Sequence, residues 1–327
     1  MKALVTGGSG FIGRHLVADL LRRDHEVRCL ARPATDRGKL AGLPVAWAEG
    51  AFDDPTSLAA AVAGVDWVFH LAAAITAADR PAYVRANVRA TAALLQACAD
   101  AHTRIRRFVF ASSIAASGPT LDKRLQREND PCRPVSEYGR SKLLAEEACR
   151  RFSGQLPITV LRLTNVLGVD QAQLSLARKL LQLRLMPLLG NGDEQTSLVF
   201  VQDAVAALLL AAEEKAACGR TYFVADGGAY SWRTVFSTVR RAMDIGAVLY
   251  LPHPLLILVA AAAETAARLR GRSILISRGQ LRDLRRYYYL HDIDLIRSEL
   301  GFRPRFHFNE ETFRRLFQGS PGSAGLD

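Results

Sequence analysis

Through the first half of the chain, short apolar runs alternate with longer stretches in which apolar residues recur every three or four positions. Residues 2–6, 27–30, 45–47, 67–70, 108–111 and 158–161 are short, rich in β-branched or aromatic side chains and bounded by turn residues, which predicts strands. Between them, 12–23, 58–63, 84–101 and 138–152 carry the helical period. Strand and helix in repetition predict parallel pairing through right-handed crossovers, hence a doubly wound α/β sheet with helices on both faces.

After Asn165 the rhythm changes. An Arg/Leu-rich helical stretch over 174–185 and a turn at Gly190-Asn191-Gly192 precede a strand and helix over 198–213 and a strand over 221–224. From Ser231 the pattern is mostly helical with no alternating partner, and residues 319–327 read as a frayed tail. The predicted organisation is a nucleotide-binding domain over 1–165 and a smaller, mostly helical substrate lobe over 166–327, with about 198–225 returning to the first sheet.

Composition narrows the function classes. With 327 residues, 49% apolar, the chain is long enough to bury a large core. Its five cysteines are scattered and never form C-x-x-C, so neither a disulfide framework nor a metal site is expected. Met1-Lys2 leads straight into an apolar strand, leaving no room for a secretory signal, and a cytoplasmic location is expected. The longest apolar run, 255–263, closes at Glu264 and is about half of the roughly 20 residues that a membrane-spanning helix needs, so no transmembrane segment is expected. The formal charge of +11 comes from scattered Arg without any nucleic-acid-binding pattern, and no nucleic-acid partner is expected. From Ser231 onward 15 Arg face nine acidic residues, so much of the excess lies in the last third.

Gly7, Gly8 and Gly10 follow the first strand directly, and Phe11, Ile12 and Gly13 open a helix. A Cβ there blocks a tight turn and the approach of backbone N–H groups to a pyrophosphate, so the loop predicts dinucleotide binding at a Rossmann-type crossover. NAD-binding versions carry an acidic residue at the end of the second strand, where this chain has Leu30-Ala31-Arg32. Arg32, Arg37 and Lys39 form a basic cluster that suits a 2′-phosphate, which makes NADP the preferred cofactor over NAD. Tyr138 and Lys142 share a helix face one turn apart, and an ammonium beside a phenol favours the phenolate. Such a pair exchanges protons with a substrate hydroxyl or carbonyl while hydride passes to or from a nicotinamide.

In order and spacing, Thr6-Gly7-Gly8-Ser9-Gly10-Phe11-Ile12-Gly13, His70-Leu71-Ala72-Ala73, Asn87-Val88, Phe110-Ala111-Ser112-Ser113 and Tyr138-Gly139-Arg140-Ser141-Lys142 resemble the extended short-chain dehydrogenase/reductase family. Arg162-Leu163-Thr164-Asn165-Val166-Leu167-Gly168, Phe200-Val201-Gln202-Asp203 and Glu299-Leu300-Gly301-Phe302-Arg303-Pro304 extend the resemblance over nearly the whole chain. It implies that Ser113 polarises the substrate oxygen, that Tyr138 is the proton donor or acceptor, and that Lys142 is both a charge partner and a ribose ligand. It also implies cofactor contacts at Gly7, Gly10, Phe11, Ile12, Gly13, Phe52, Leu71, Ala72, Ala73, Leu163 and Asn165, a backbone-holding role for Asn87, and a homodimer through 84–101 and the helix after Tyr138. His70, at the end of an apolar strand, reads as a satisfied core residue. Two departures stand out. Gly50-Ala51-Phe52 lacks the Asp that faces adenine in many members, and Arg162-Leu163 replaces the usual Arg-Pro.

Nucleotide-sugar members commonly clamp a diphosphate with an Arg shortly before the strand predicted at 198. This chain has Gln195-Thr196-Ser197 there. The resemblance therefore favours the subgroup similar to 3β-hydroxysteroid dehydrogenases and dihydroflavonol reductases. The expected activity is NADP-dependent interconversion of a carbonyl and a secondary alcohol on a small hydrophobic substrate, steroid-, flavonoid- or acyl-like. Asn165 matches a sugar-nucleotide contact, so an epimerase or dehydratase with retained NAD is the alternative, and a non-catalytic NADP sensor the second. The apolar stretch 255–269, followed by Arg270 and Arg272, has three readings: a cover over a hydrophobic substrate, a peripheral contact with an anionic membrane surface, or a buried helix of the small lobe. Trp232 and Tyr287-Tyr288-Tyr289 fit either an apolar pocket or ordinary packing.

Overall fold

The computed structural model describes residues 1–101, 105–168, 192–244 and 287–318, the strands at 185–187 and 249–251, and isolated positions between 255 and 265. The helix expected over 174–185 except Leu185, Gly190, Asn191, Arg270, Arg272, the tail at 319–327 and much of 255–269 lie outside the described residues.

Side chains along the strands of a parallel sheet alternate between two covered faces, and this chain supplies apolar residues to both. Strands β1 (Lys2–Thr6), β2 (Glu26–Ala31), β3 (Val45–Glu49), β4 (Trp67–His70), β5 (Arg107–Ser113), β6 (Ile158–Leu163) and β11 (Thr221–Val224) form one seven-stranded sheet. Its order is β11-β6-β5-β4-β1-β2-β3, and every neighbour pair is parallel. The order reverses between β1 and β4, where an open α/β sheet leaves a crevice at its carboxyl ends.

One face buries Val5, Phe69, Val109 and Leu161 under Leu16 and Leu20 of α1 (Phe11–Arg22) and Val205 and Leu208 of a later helix, α7 (Val201–Glu213). The other buries Leu4, Val68, Phe108 and Val160 under α2 (Pro55–Val62), α4 (Ala90–Ala99) and α6 (Glu137–Phe152). Leu4 against Val5, Val68 against Phe69 and Phe108 against Val109 are adjacent residues sent to opposite layers. Upstream of α4, the short helix α3 (Arg80–Tyr83) runs into a π-helical stretch, Val84–Arg89. A four-residue helix, α5 (Ile114–Ser117), follows β5.

Two smaller pairings continue the chain: β7 (Asn165–Leu167) with β10 (Leu198–Phe200), and β9 (Gln195–Thr196) with β12 (Tyr230–Ser231). A third pairs β8 (Leu185–Pro187) with β13 (Leu249–Leu251). Val235 and Val239 of α8 (Trp232–Ala242) pack with Phe308 and Phe313 onto Leu198 and Phe200 as a separate apolar cluster. Buried carboxylates tie the tail down. Asp203 accepts from the backbone N–H of Arg305 and Phe306, and Asp226 from that of Phe308 and from the Tyr230 hydroxyl. The helices α9 (Asp294–Leu300) and α10 (Glu310–Gln318) fit the expected helical tail, but residues 287–291 depart from it. Their backbone is extended and bridges to Thr120, Gln126 and Thr196, because peptide groups left open by those loops are paired there. Tyr288 and Tyr289 thus act first through their main chain: Tyr288 exchanges hydrogen bonds with Thr120, and Tyr289 donates to the Gln195 carbonyl and accepts from the Ser197 N–H.

Candidate active site

The turn from β1 into α1 is built around glycine. Gly7 holds a φ of +71°, and a Cβ on it would lie 2.8 Å from the Ala72 nitrogen. A Cβ on Gly13 would collide with the Gly7 carbonyl oxygen. Gly10 caps α1 without any side-chain hydrogen bond, so the first amides of a 12-residue helix point out of the turn unclaimed by a capping side chain. Open helix-N-terminal amides beside a loop with no side chains fit the pyrophosphate of a dinucleotide. Phe11 and Ile12 are half-buried on that first turn and pack on the α1-side core.

The loop after β4 forms the opposite wall, and a buried chain of hydrogen bonds fixes it. The Thr91 hydroxyl donates to the Asn87 carbonyl at 2.6 Å, so it accepts from His70 Nε2 at 3.0 Å. His70 Nδ1 then accepts from the Thr6 hydroxyl at 2.7 Å, and Thr6 Oγ1 accepts the Ala72 N–H at 3.2 Å. Burial, with the Lys142 charge adding to it, pushes the His70 pKa down to about 3, so the ring is neutral and this tautomer persists. The Asn87 side chain, 2% exposed, accepts from the Ala74 N–H at 2.8 Å and donates to the Ala74 carbonyl at 3.0 Å and to Ser141 Oγ at 2.8 Å. Ser141 in turn donates to the Tyr138 carbonyl at 2.7 Å. The loop carrying Leu71, Ala72 and Ala73 and the helix carrying Tyr138 are therefore tied through one amide.

Ser113, Tyr138 and Lys142 come together at the carboxyl ends of β5 and β6. Ser113 caps α5, its Oγ accepting the Ala115 N–H at 3.1 Å, and it also hydrogen-bonds the Tyr138 phenol. Ser136 caps α6 and accepts the Gly139 N–H, which sets the first turn that presents Tyr138. The Lys142 ammonium donates to the Ala111 carbonyl at 2.7 Å and lies 4.1 Å from the Phe110 ring centre. Burial brings its pKa down to about 8, with Glu146 and Cys149 opposing. Burial likewise raises the Tyr138 phenol to about 12, against the Ser113 hydrogen bond and with Tyr83 adding to the rise. The expected lowering of the phenol pKa is thus reversed in the chain, since the ammonium is turned to a carbonyl and a ring while desolvation penalises the phenolate.

A model of the NAD dependent epimerase/dehydratase family matches residues 3–225. The chain belongs to that family.

Family relatives divide between two kinds of substrate. The chain is 30% identical over 340 residues to the 4-hydroxy-2-methyl-3-oxo-4-farnesyl-3,4-dihydroquinoline-1-oxide ketoreductase of Stigmatella aurantiaca, covering 99% of this chain and 98% of that one. It is 33% identical over 244 residues to the 2-alkyl-3-oxoalkanoate reductase of Stenotrophomonas maltophilia, covering 69% and 71%. Among solved structures, MoeE5 in complex with UDP-glucuronic acid and NAD superposes with a TM-score of 0.74 at 26% identity, covering 96% of this chain and 99% of that one. The protein is an NAD(P)-dependent oxidoreductase of the epimerase/dehydratase family.

Other expected contacts are distributed unevenly. Arg32 and Lys39 are exposed just beyond β2, whereas Arg37 donates to Glu49 at 2.7 Å and stacks on Trp47. Its charge is thereby largely compensated, leaving Arg32 and Lys39 as the cations open to an anion. Phe52 is half-buried and meets His70 edge-on at 5.6 Å. Leu163 is 5% exposed and packs in the core, so only its backbone faces the crevice end. Asn165 is exposed, and its amide donates to Thr196 Oγ1 at 2.8 Å.

Ser112, Glu146, Thr6, Thr91 and Ser141 are site-supporting residues that the sequence reading passed over. Glu146 was accessible to it, being one turn beyond Lys142 on the same helix face. The others are short hydroxyl side chains that each have a partner at least 21 residues away in sequence.

Proposed function

We propose that this oxidoreductase reduces the ketone of a small hydrophobic, acyl-like substrate with NADPH. The observation that carries the reading is the Asn165–Thr196 hydrogen bond. Where nucleotide-sugar members commonly hold a diphosphate with a guanidinium, a neutral hydroxyl stands, and it accepts one N–H of the Asn165 amide. The whole-length similarity to a ketoreductase supports the same direction.

The glycine turn and the α1 amides hold the cofactor's diphosphate in this reading, and Arg32 and Lys39 attract its 2′-phosphate. A bound nicotinamide supplies hydride to the carbonyl carbon. The Ser113 hydroxyl polarises the ketone oxygen, and the Tyr138 phenol, still protonated at neutral pH because burial lifts its pKa to about 12, donates the proton that oxygen needs. Lys142 binds the ribose and keeps a positive charge beside the phenol. The segment 166–327 is the substrate lobe of this reading, and within 198–225 α7 packs on the seven-stranded sheet and β11 joins it. A cytoplasmic homodimer through 84–101 and α6 completes it.

Titration of the purified protein with NADPH and NADH, followed by reduction of a 2-alkyl-3-oxo ester probe, tests the reading. NADPH is expected to bind more than about tenfold tighter than NADH, Arg32→Glu to abolish that preference, and Tyr138→Phe to lower turnover by about 10² or more. Tightly retained NAD and no turnover of the probe would overturn it in favour of nucleotide-sugar chemistry, which the likeness to MoeE5 with UDP-glucuronic acid and NAD supports.

A further inference from the structure

Beneath the catalytic pair, a second group of charged side chains is fully buried. Glu146 lies one turn past Lys142 on α6 and is 3% exposed, and Arg162 of β6 is 4% exposed. Arg162 Nη2 donates to Glu146 Oε2 at 2.8 Å and Nε to Oε1 at 3.1 Å, a two-pronged pairing. Ser112 of β5 donates to Glu146 Oε1 at 2.5 Å. Consecutive positions on β5 are thus engaged by consecutive turns of α6, with Lys142 on the Ala111 carbonyl and Glu146 on the Ser112 hydroxyl, immediately before Ser113.

We propose that Glu146 is a positioning residue: clamped by Arg162 and Ser112, its carboxylate locks α6 in register with β5 and holds the Lys142 ammonium against the Ala111 carbonyl. A buried ion pair is seldom a net source of stability, because desolvating two charges offsets most of their attraction, so its use here is geometric and electrostatic. A helix sliding or rotating on the sheet would have to break the fork and the Ser112 bond together. Burial alone disfavours the Lys142 charge, and Glu146 acts in the opposite sense.

Other groups face this cluster from each neighbouring element. His70 of β4 and His291 are both pushed down to about 3 by burial and stay neutral. The loop before α6 contributes the Cys132 thiol, 3.1 Å from Arg162 Nη2, and Glu128, each raised by burial. Cys149 on α6 itself is raised further still. Among these, Glu146 is the anion that favours the Lys142 ammonium.

The inference rests on the reading that Lys142 belongs to the active site, but its test does not use cofactor or substrate. In protein labelled with carbon-13 lysine, the Lys142 side-chain resonance is assigned by its loss in Lys142→Met and titrated with pH. Glu146→Gln keeps the shape and the hydrogen-bonding capacity but removes the charge, and its Lys142 midpoint is expected to fall by about one pH unit, a tenfold loss of proton affinity. If the lone Arg162 charge prevents that variant from folding, Glu146→Gln/Arg162→Gln leaves neither charge buried alone and is expected to show a fall of the same sign. A midpoint that rises, or stays within about 0.3 unit of wild type in the folded variant, overturns the proposal. The role of Lys142 itself is scored separately, by NADPH binding to Lys142→Met.

Discussion

Replacing Asn87 with alanine removes three hydrogen bonds at once and should loosen the loop after β4 and the helix that carries Tyr138 together. The Asn87 amide satisfies the Ala74 N–H, the Ala74 carbonyl and Ser141 Oγ, at 2.8, 3.0 and 2.8 Å. Ala74 is half-buried, so water can reclaim its two groups and each loss is the net value of about 1 kcal/mol. Ser141 is 2% exposed and keeps its bond to the Tyr138 carbonyl, losing only an incoming donor, for about another 1 kcal/mol. The expected destabilisation is about 2–4 kcal/mol, a sizeable share of the roughly 5–15 kcal/mol that holds a typical protein folded. Urea unfolding followed by circular dichroism measures it. In the same variant NADPH is expected to bind more weakly, because the freed loop carries Ala72 and Ala73. A loss below about 0.5 kcal/mol with unchanged NADPH affinity would refute the idea that this amide couples the loop to α6. For comparison, Thr91→Val preserves shape and removes the acceptor of His70 Nε2 and the donor to the Asn87 carbonyl, while the three bonds of the Asn87 side chain stay in place.

Two further outcomes follow from the site. Lys142 loses its proton at about pH 8 in the folded protein against an ordinary value of 10.5, so kcat/KM should fall with unit slope above about pH 8. Between those two values the unfolded chain holds the proton more tightly, so the Lys142 contribution to stability rises with pH over the window in which activity falls; calorimetry alongside the rate profile separates this from denaturation. Gly13→Ala places a Cβ against the Gly7 carbonyl and 2.8 Å from Gly8 Cα, all backbone that no rotamer change relieves, and should abolish NADPH binding in a fluorescence titration. Gly64→Ala, at φ +68° with open space around it, should cost about 1–2 kcal/mol and leave binding intact.

Periodicity and punctuation alone determined the alternation of strands and helices, the glycine turn at the end of β1 and the placing of Tyr138 and Lys142 on one face of a helix. Each of these is a local property: strands send neighbours to opposite faces, helices send every fourth residue to one, and a turn that admits no Cβ requires glycine. Strand order, the extended path of 287–291 and the small apolar cluster around Phe308 depended on contacts between segments far apart in sequence. The same holds within the site. The tautomer of His70 is fixed by Thr6 and Thr91, which lie 64 and 21 residues away, and Arg37, in the loop after β2, is drawn to Glu49 at the end of β3. The Tyr138 phenol illustrates the limit most sharply. Its spacing from Lys142 suggested a lowered pKa, but the sign is set by how much solvent the fold removes and by where the ammonium finds its partner, and only the packing of α6 against β5 decides either.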